Sequence, residues 1–183
     1  MSQSKENNLY TKFLEVMTMP DGRSAVPDDM LGWLKGNGFF TAPASTKYHG
    51  AHPGGLAEHS ITVTEILLDF TEQNGLVWME ERSPYIVGMF HDLCKIDYYG
   101  YDAQHSACYH KEDCLLRGHG DKSVMLLSMF QQLTLEEILC IRYHMGAYTD
   151  PKYWDDYGRA VEACPNVLWT HHADMFASRV LGV

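Results

Sequence analysis

The chain has 183 residues, 45% of them hydrophobic and 21% charged, a balance that excludes disordered and collagen-like classes. That length predicts one domain whose core needs no disulfides. A formal charge of −10 argues against an extended nucleic-acid surface, because a phosphate backbone demands a basic face. No apolar run approaches the ~18 residues of a bilayer span, and the first eight residues carry no signal-peptide core. The five cysteines, Cys94, Cys108, Cys114, Cys140 and Cys164, form no CxxC pair and read as reduced thiols. A cytoplasmic protein without a membrane partner is the expectation.

The pattern is helical almost throughout. Residues 9–17 place Phe13, Leu14 and Met17 on one face, and residues 27–34 form a short helix with Asp28 and Asp29 in its first turn, ended by Gly36 and Gly38. Residues 41–55 read as a loop. A long helix over 56–73 aligns His59, Val63, Ile66, Leu67 and Phe70, and Asn74 with Gly75 closes it. Ser83 as N-cap with Pro84 at the first helical position opens a helix reaching about residue 94. Residues 97–118 break the pattern and suggest a long loop. Helices follow over 122–130 and, from a capping box at Thr134 and Glu137, to His144. Residues 148–155 read as loop, and 156–163 and 166–181 as the last two helices, separated by Pro165. Alternating β patterns are scarce. The fold expected is all-α, a single domain with N-terminal helices over 1–38 and a core over 39–183.

Several polar side chains fall where a core should be. His59 lies on the apolar face of its helix, and His91 with Asp92 follows the apolar run 86–90. His119 stands between two glycines at a helix start, His144 ends a helix, and Asp174 sits inside the last one. A single buried histidine is usually satisfied by backbone or a hydroxyl. Two buried carboxylates beside several imidazoles are harder to accommodate, and a divalent cation satisfies all of them at once.

The motifs run in order. Gly54-Gly55-Leu56-Ala57-Glu58-His59-Ser60 is followed by His91-Asp92-Leu93-Cys94-Lys95, then by Gly118-His119-Gly120-Asp121-Lys122-Ser123. Arg142-Tyr143-His144-Met145-Gly146 and His171-His172-Ala173-Asp174 complete the series. This order resembles the HD superfamily of metal-dependent phosphohydrolases, and more narrowly its small bacterial and prophage-type members with GGLxEHS, HDLCK and HGxKS elements. The resemblance covers residue 39 to the end of the chain and implies a helical bundle around a buried metal centre. It implies that His59, His91, Asp92 and Asp174 hold a first ion, that His119 and His144 hold a second, and that Asp92 bridges the two. The ions implied are divalent transition metals, Mn, Fe, Ni, Co or Zn. Two such ions hold a hydroxide at neutral pH and neutralise charge that develops on a phosphoryl group. Lys95 falls at the family's HDxGK lysine, which implies a catalytic, phosphate-binding cation. The alternative is a lysine placed at a helix C-terminus for its dipole. Cys94 stands where the better-known families have glycine.

Weaker candidates surround this set. Lys122 and Arg142 flank His119 and His144 and could hold a substrate anion, or be solvated helix charges. A histidine also falls at the place of His49 in related exoribonuclease-like proteins, which implies a pocket position. Glu58 could orient His59 or be an ordinary surface glutamate. His52 reads as a bystander, and His171 or His172 as a hydrogen-bonding neighbour of the site. His105, Cys108, His110 and Cys114 fit no common zinc spacing. Tyr98, Tyr99 and Tyr101 could stack on a base or pack a lid. The function implied is hydrolysis of a phosphomonoester or phosphodiester bond in a nucleotide or other small phosphorylated metabolite. The alternatives are a diiron oxygenase on the same ligands and a non-catalytic nucleotide-binding module. A homodimer is expected on general prevalence alone.

Overall fold

The computed structural model describes residues 3–102, 108–112, 114, 116 and 118–183. The fold is all-α. The described residues form α1 (Gln3–Val16), α2 (Asp28–Gly36), α3 (Gly55–Asn74), α4 (Ser83–Phe90), α5 (His119–Leu127), α6 (Leu135–Tyr143), α7 (Trp154–Ala163) and α8 (Asn166–Met175). The stretch expected to be one long loop contains a small antiparallel ribbon, β1 (Tyr99–Tyr101) with β2 (Cys108–His110), in which Tyr99 faces His110 and Tyr101 faces Cys108. Among the described residues no helix is long and apolar enough to cross a membrane.

The centre of the bundle is α4, every residue of which is buried. It packs against α3, α6 and α8. The N-terminal helices share this core and do not stand apart from it. Phe13 of α1 meets Phe40 edge-on at 5.4 Å between centroids and lies 6.3 Å from Phe90, while Phe39 meets Phe40 at 5.2 Å. Edge-to-face rings at such spacings gain about 0.5–1.5 kcal/mol per pair beyond their buried area. The cluster anchors the C-terminal end of α4 directly before His91. Leu14, expected on the same face as Phe13, is exposed, while Phe13 of α1 and Met17 just after it are buried.

Two close helix approaches depend on glycine. A Cβ on Gly88 would come within 2.7 Å of the Thr64 Cα, so α3 and α4 touch backbone to backbone. A Cβ on Gly120 would come within 2.5 Å of the Arg142 carbonyl oxygen, and this draws His119 of α5 toward the end of α6. Gly88→Ala is expected to destabilise the fold by about 1–3 kcal/mol, the usual cost of overpacking. It would be read as a lower urea midpoint at unchanged slope.

Several boundaries differ from the sequence expectation. The cap of α4 is Arg82, and the Ser83 hydroxyl instead donates to Glu137 Oε1 at 3.1 Å, binding α4 to α6. The capping box at Thr134 forms, with Glu137 N donating to Thr134 Oγ1 at 3.1 Å and Thr134 N to Glu137 Oε2 at 2.8 Å. Helix α4 ends at Phe90, not near residue 94, and a 3-10 turn (Leu93–Asp97) continues the chain. Helix α5 begins three residues earlier than expected, so His119 opens it. After Met175, α8 widens into a π turn (Phe176–Leu181).

Candidate metal centre

Each part of the site enters from a different element. His59 is in the second turn of α3, on its buried face. His91 caps the C-terminus of α4, and Asp92 follows with φ −105° and ψ 15°, in the sparsely allowed bridge region. Consecutive residues of a regular helix diverge by about 100° around its axis. The break at Asp92 allows His91 and Asp92 to face one point. His119 opens α5, His144 caps α6, and Asp174 lies near the end of α8.

All six side chains expected as ligands converge. Asp92 Oδ2 lies 3.5 Å from His91 Nε2 and 3.6 Å from His59 Nε2. Its other oxygen, Oδ1, lies 2.8 Å from His119 Nε2 and 3.5 Å from His144 Nε2. Asp174 Oδ1 is 3.2 Å from His59 Nε2, which is itself 3.2 Å from His91 Nε2. The carboxylate of Asp92 therefore turns one oxygen to each pair of imidazoles.

The ring tautomers follow from the outer partners. His59 Nδ1 lies 2.9 Å from the Val183 main-chain oxygen, His91 Nδ1 2.8 Å from that of Gly88, and His144 Nδ1 2.7 Å from that of Ile141. A main-chain oxygen only accepts, so each Nδ1 carries a proton and each ring turns its Nε2 inward. The Nε2 atoms of His59 and His91 lie 3.2 Å apart. His144 Nε2 and Asp92 Oδ1 are buried with no hydrogen-bond partner. Electron-rich atoms packed this closely call for a cation between them, and imidazole with carboxylate suits a first-row divalent metal. Three overlapping donor sets lie within metal-binding reach, namely His59, His91 and Asp174; His91, Asp92 and His144; and Asp92, Cys94 and His119.

The electrostatics keep the carboxylates ionised. Burial alone would raise the Asp92 carboxyl, but Lys95, His91 and His119 hold it well below the ordinary carboxylate range. Burial opposes the charge of Asp174 as well, and His59 and His91 together outweigh it and lower its pKa. Lys95 is almost fully buried, with Nζ 2.6 Å from Asp92 Oδ2. Burial lowers its pKa and Asp92 more than restores it, so the net shift is upward.

A cavity of about 230 Å³ leads to this cluster, with Asp92, Lys95, His119 and Asp174 inside and His49, Tyr99, Tyr148 and Arg179 among its walls. His49 stacks at 4.9 Å between ring centroids on His59. Burial, with His59 and Lys95 adding to it, pushes its pKa down to about 4, so it is neutral at pH 7.

Lys122 and Arg142 do not reach the cavity. Lys122 is buried against Asp97, Cys114 and the Tyr98 ring, and Arg142 is an exposed partner of Asp121 at 3.0 Å. Arg142, two positions from His144, falls on the opposite side of α6, whereas Lys122 shares a side of α5 with His119 and is held out of the cavity by Asp97. Glu58 pairs with Lys5 at 2.8 Å and His52 at 3.3 Å at the surface, while the Val183 main-chain oxygen orients His59. His171 Nδ1 reaches the His144 carbonyl at 2.8 Å, and His172 is exposed. Of the four zinc-knuckle candidates, His105 lies outside the described residues, Cys108 and His110 sit on β2, and Cys114 meets Asp97 and Lys122.

Arg179, Tyr148 and the thiol of Cys94 are the site residues that sequence reasoning missed. Arg179 follows Asp174 by five positions, which in an α-helix carries it about 140° around the axis. The wider π turn brings it back toward Asp174, and both line the cavity. Its nearness to Asp174 in the chain was a usable signal, but the π turn was not legible.

Compared with protein-family models, curated proteins and solved structures, the chain gives no match.

Proposed function

We propose that the chain is a metal-dependent phosphohydrolase of the HD type, acting on a phosphomonoester or phosphodiester in a nucleotide or other small phosphorylated metabolite. The observation that carries this reading is the position of Asp92, one oxygen toward His59 and His91 and the other toward His119 and His144. That donor set fits two divalent ions, with Asp174 completing the first. When bound, such ions lower the pKa of water and neutralise charge on a phosphoryl group. Lys95 keeps Asp92 ionised and brings a positive charge to the cavity wall. Arg179 supplies a second, unneutralised by any carboxylate among the described residues and stacked 5.9 Å from the Tyr148 ring. These local charges give an anion a place to dock on a chain of net charge −10. The five free cysteines support a reducing, cytoplasmic setting.

The test is phosphate release from a panel of nucleotides and phosphodiesters. The protein is stripped and reloaded separately with Mn, Fe, Ni, Co and Zn. Silence across the panel with two tightly bound ions would defeat the hydrolase reading, and oxygen uptake by the iron form would replace it with oxygenase chemistry. Arg179→Ala is expected to raise KM about 10–100-fold with kcat changed only a few-fold, as for loss of one charge-assisted contact to the substrate. An unchanged KM would remove Arg179 from the substrate site.

A further inference from the structure

The four imidazoles are not held alike. Those of His59, His91 and His144 are fully buried, and each Nδ1 meets a main-chain oxygen at 2.7–2.9 Å. His119 has a side chain 31% exposed, and its Nδ1 faces the Cys94 thiol, with Sγ at 3.4 Å. A thiol is a weak donor and a weak acceptor, so it holds a ring less firmly than a carbonyl does and leaves its tautomer open.

The place of this thiol is set by the fold. Cys94 is fully buried in the 3-10 turn that follows Asp92. Its backbone N–H donates at 2.9 Å to Ser123 Oγ, one helical turn beyond His119 on α5. The Cys94 backbone is thereby fastened to the helix that carries His119, with its thiol against the outer edge of the ring. On the inner side, His119 Nε2 shares its space with Asp92 Oδ1 and His144 Nε2, two of the buried atoms without a hydrogen-bond partner among the described residues. Those orphaned atoms mark where a cation belongs, and His119 is its least constrained ligand.

We infer that Cys94 is the positioning residue for His119, and that its weak grip makes the two halves of the centre unequal. The inference rests on the two-ion reading proposed above. The ion among His59, His91, Asp92 and Asp174 binds first and tightly. The ion among Asp92, His119 and His144 binds more weakly, and its affinity depends on the Cys94 side chain. Outer partners of metal-bound histidines typically change affinity by about 10–100-fold when removed.

The test is equilibrium dialysis of the stripped full chain against Mn²⁺, with elemental analysis, and a visible spectrum of the Co²⁺ form. Wild type is expected to take up two ions, the second held at least about tenfold more weakly. Cys94→Ala is expected to weaken the second by a further 10–100-fold, roughly, and to leave the first within about twofold, which also reports an intact fold. The Co²⁺ spectrum is expected to show no thiolate charge-transfer band. Equal affinities in wild type, or a second ion indifferent to Cys94→Ala, would overturn the inference alone. A thiolate band would make Cys94 a ligand and overturn its positioning role. Wild type binding no ion would overturn the proposed centre itself. The wild-type affinity ratio and the cobalt spectrum need no variant, so they decide the matter even where Cys94→Ala does not fold.

Discussion

Asp92→Asn is expected to reduce phosphate release by on the order of 10³-fold or more and to lower the bound metal from two ions per chain to fewer than one. The physical reason is the geometry of one carboxylate. Each Asp92 oxygen faces two imidazoles, so replacing one oxygen by an amide NH₂ puts a donor against lone pairs that otherwise converge on a cation. The amide satisfies one imidazole nitrogen by a hydrogen bond and removes the negative charge from both halves. Asparagine is the better variant here than alanine. Asp92→Ala would leave Lys95 buried without its partner at 2.6 Å, and stranding one member of a buried pair costs about 3–5 kcal/mol. Loss of activity in that variant would be confounded with loss of fold. Elemental analysis beside the rate measurement checks the prediction, and an Asp92→Asn protein that keeps both ions would refute a carboxylate shared between them.

Removal of metal is expected to lower the melting temperature by roughly 8–16 °C. Ligand present at a thousandfold over its Kd stabilises by about 4 kcal/mol, and about 2–4 °C accompany each kcal/mol in a chain of this size. The site supports a gain of this order because the ion-free state keeps electron-rich groups in close contact. His59 and His91 oppose Nε2 atoms at 3.2 Å, and His144 Nε2 and Asp92 Oδ1 are buried without partners. A thermal scan of stripped protein against protein with each candidate metal measures the shift and ranks the ions. A melting temperature indifferent to every ion would mean that protons, not metals, satisfy this cluster.

Much of the fold was readable because the signals that specify helices are local. The capping box at Thr134, Gly75 after α3 and the apolar run of α4 each act within a few residues, and each produces the expected helix. The six converging side chains were legible too, by position in an ordered set of motifs. The extent of α4, the start of α5 and the ribbon from Tyr99 to His110 were not, since they depend on what packs alongside. The same holds for Lys122 and Arg142. Nearness in sequence to His119 and His144 suggested the site, but helix rotation turned Arg142 toward Asp121, and Asp97 drew Lys122 aside.

By itself, then, the sequence determined an all-α chain and named the histidines and aspartates that meet in its core, because helix propensity, capping and burial periodicity are encoded over short spans. Only the tertiary structure decided which oxygen of Asp92 faces which imidazole, that main-chain oxygens orient three of the rings and a thiol the fourth, and that a π turn carries Arg179 to the cavity wall. Those are contacts between elements distant in the chain, set by how whole helices pack and rotate, and no local pattern specifies them.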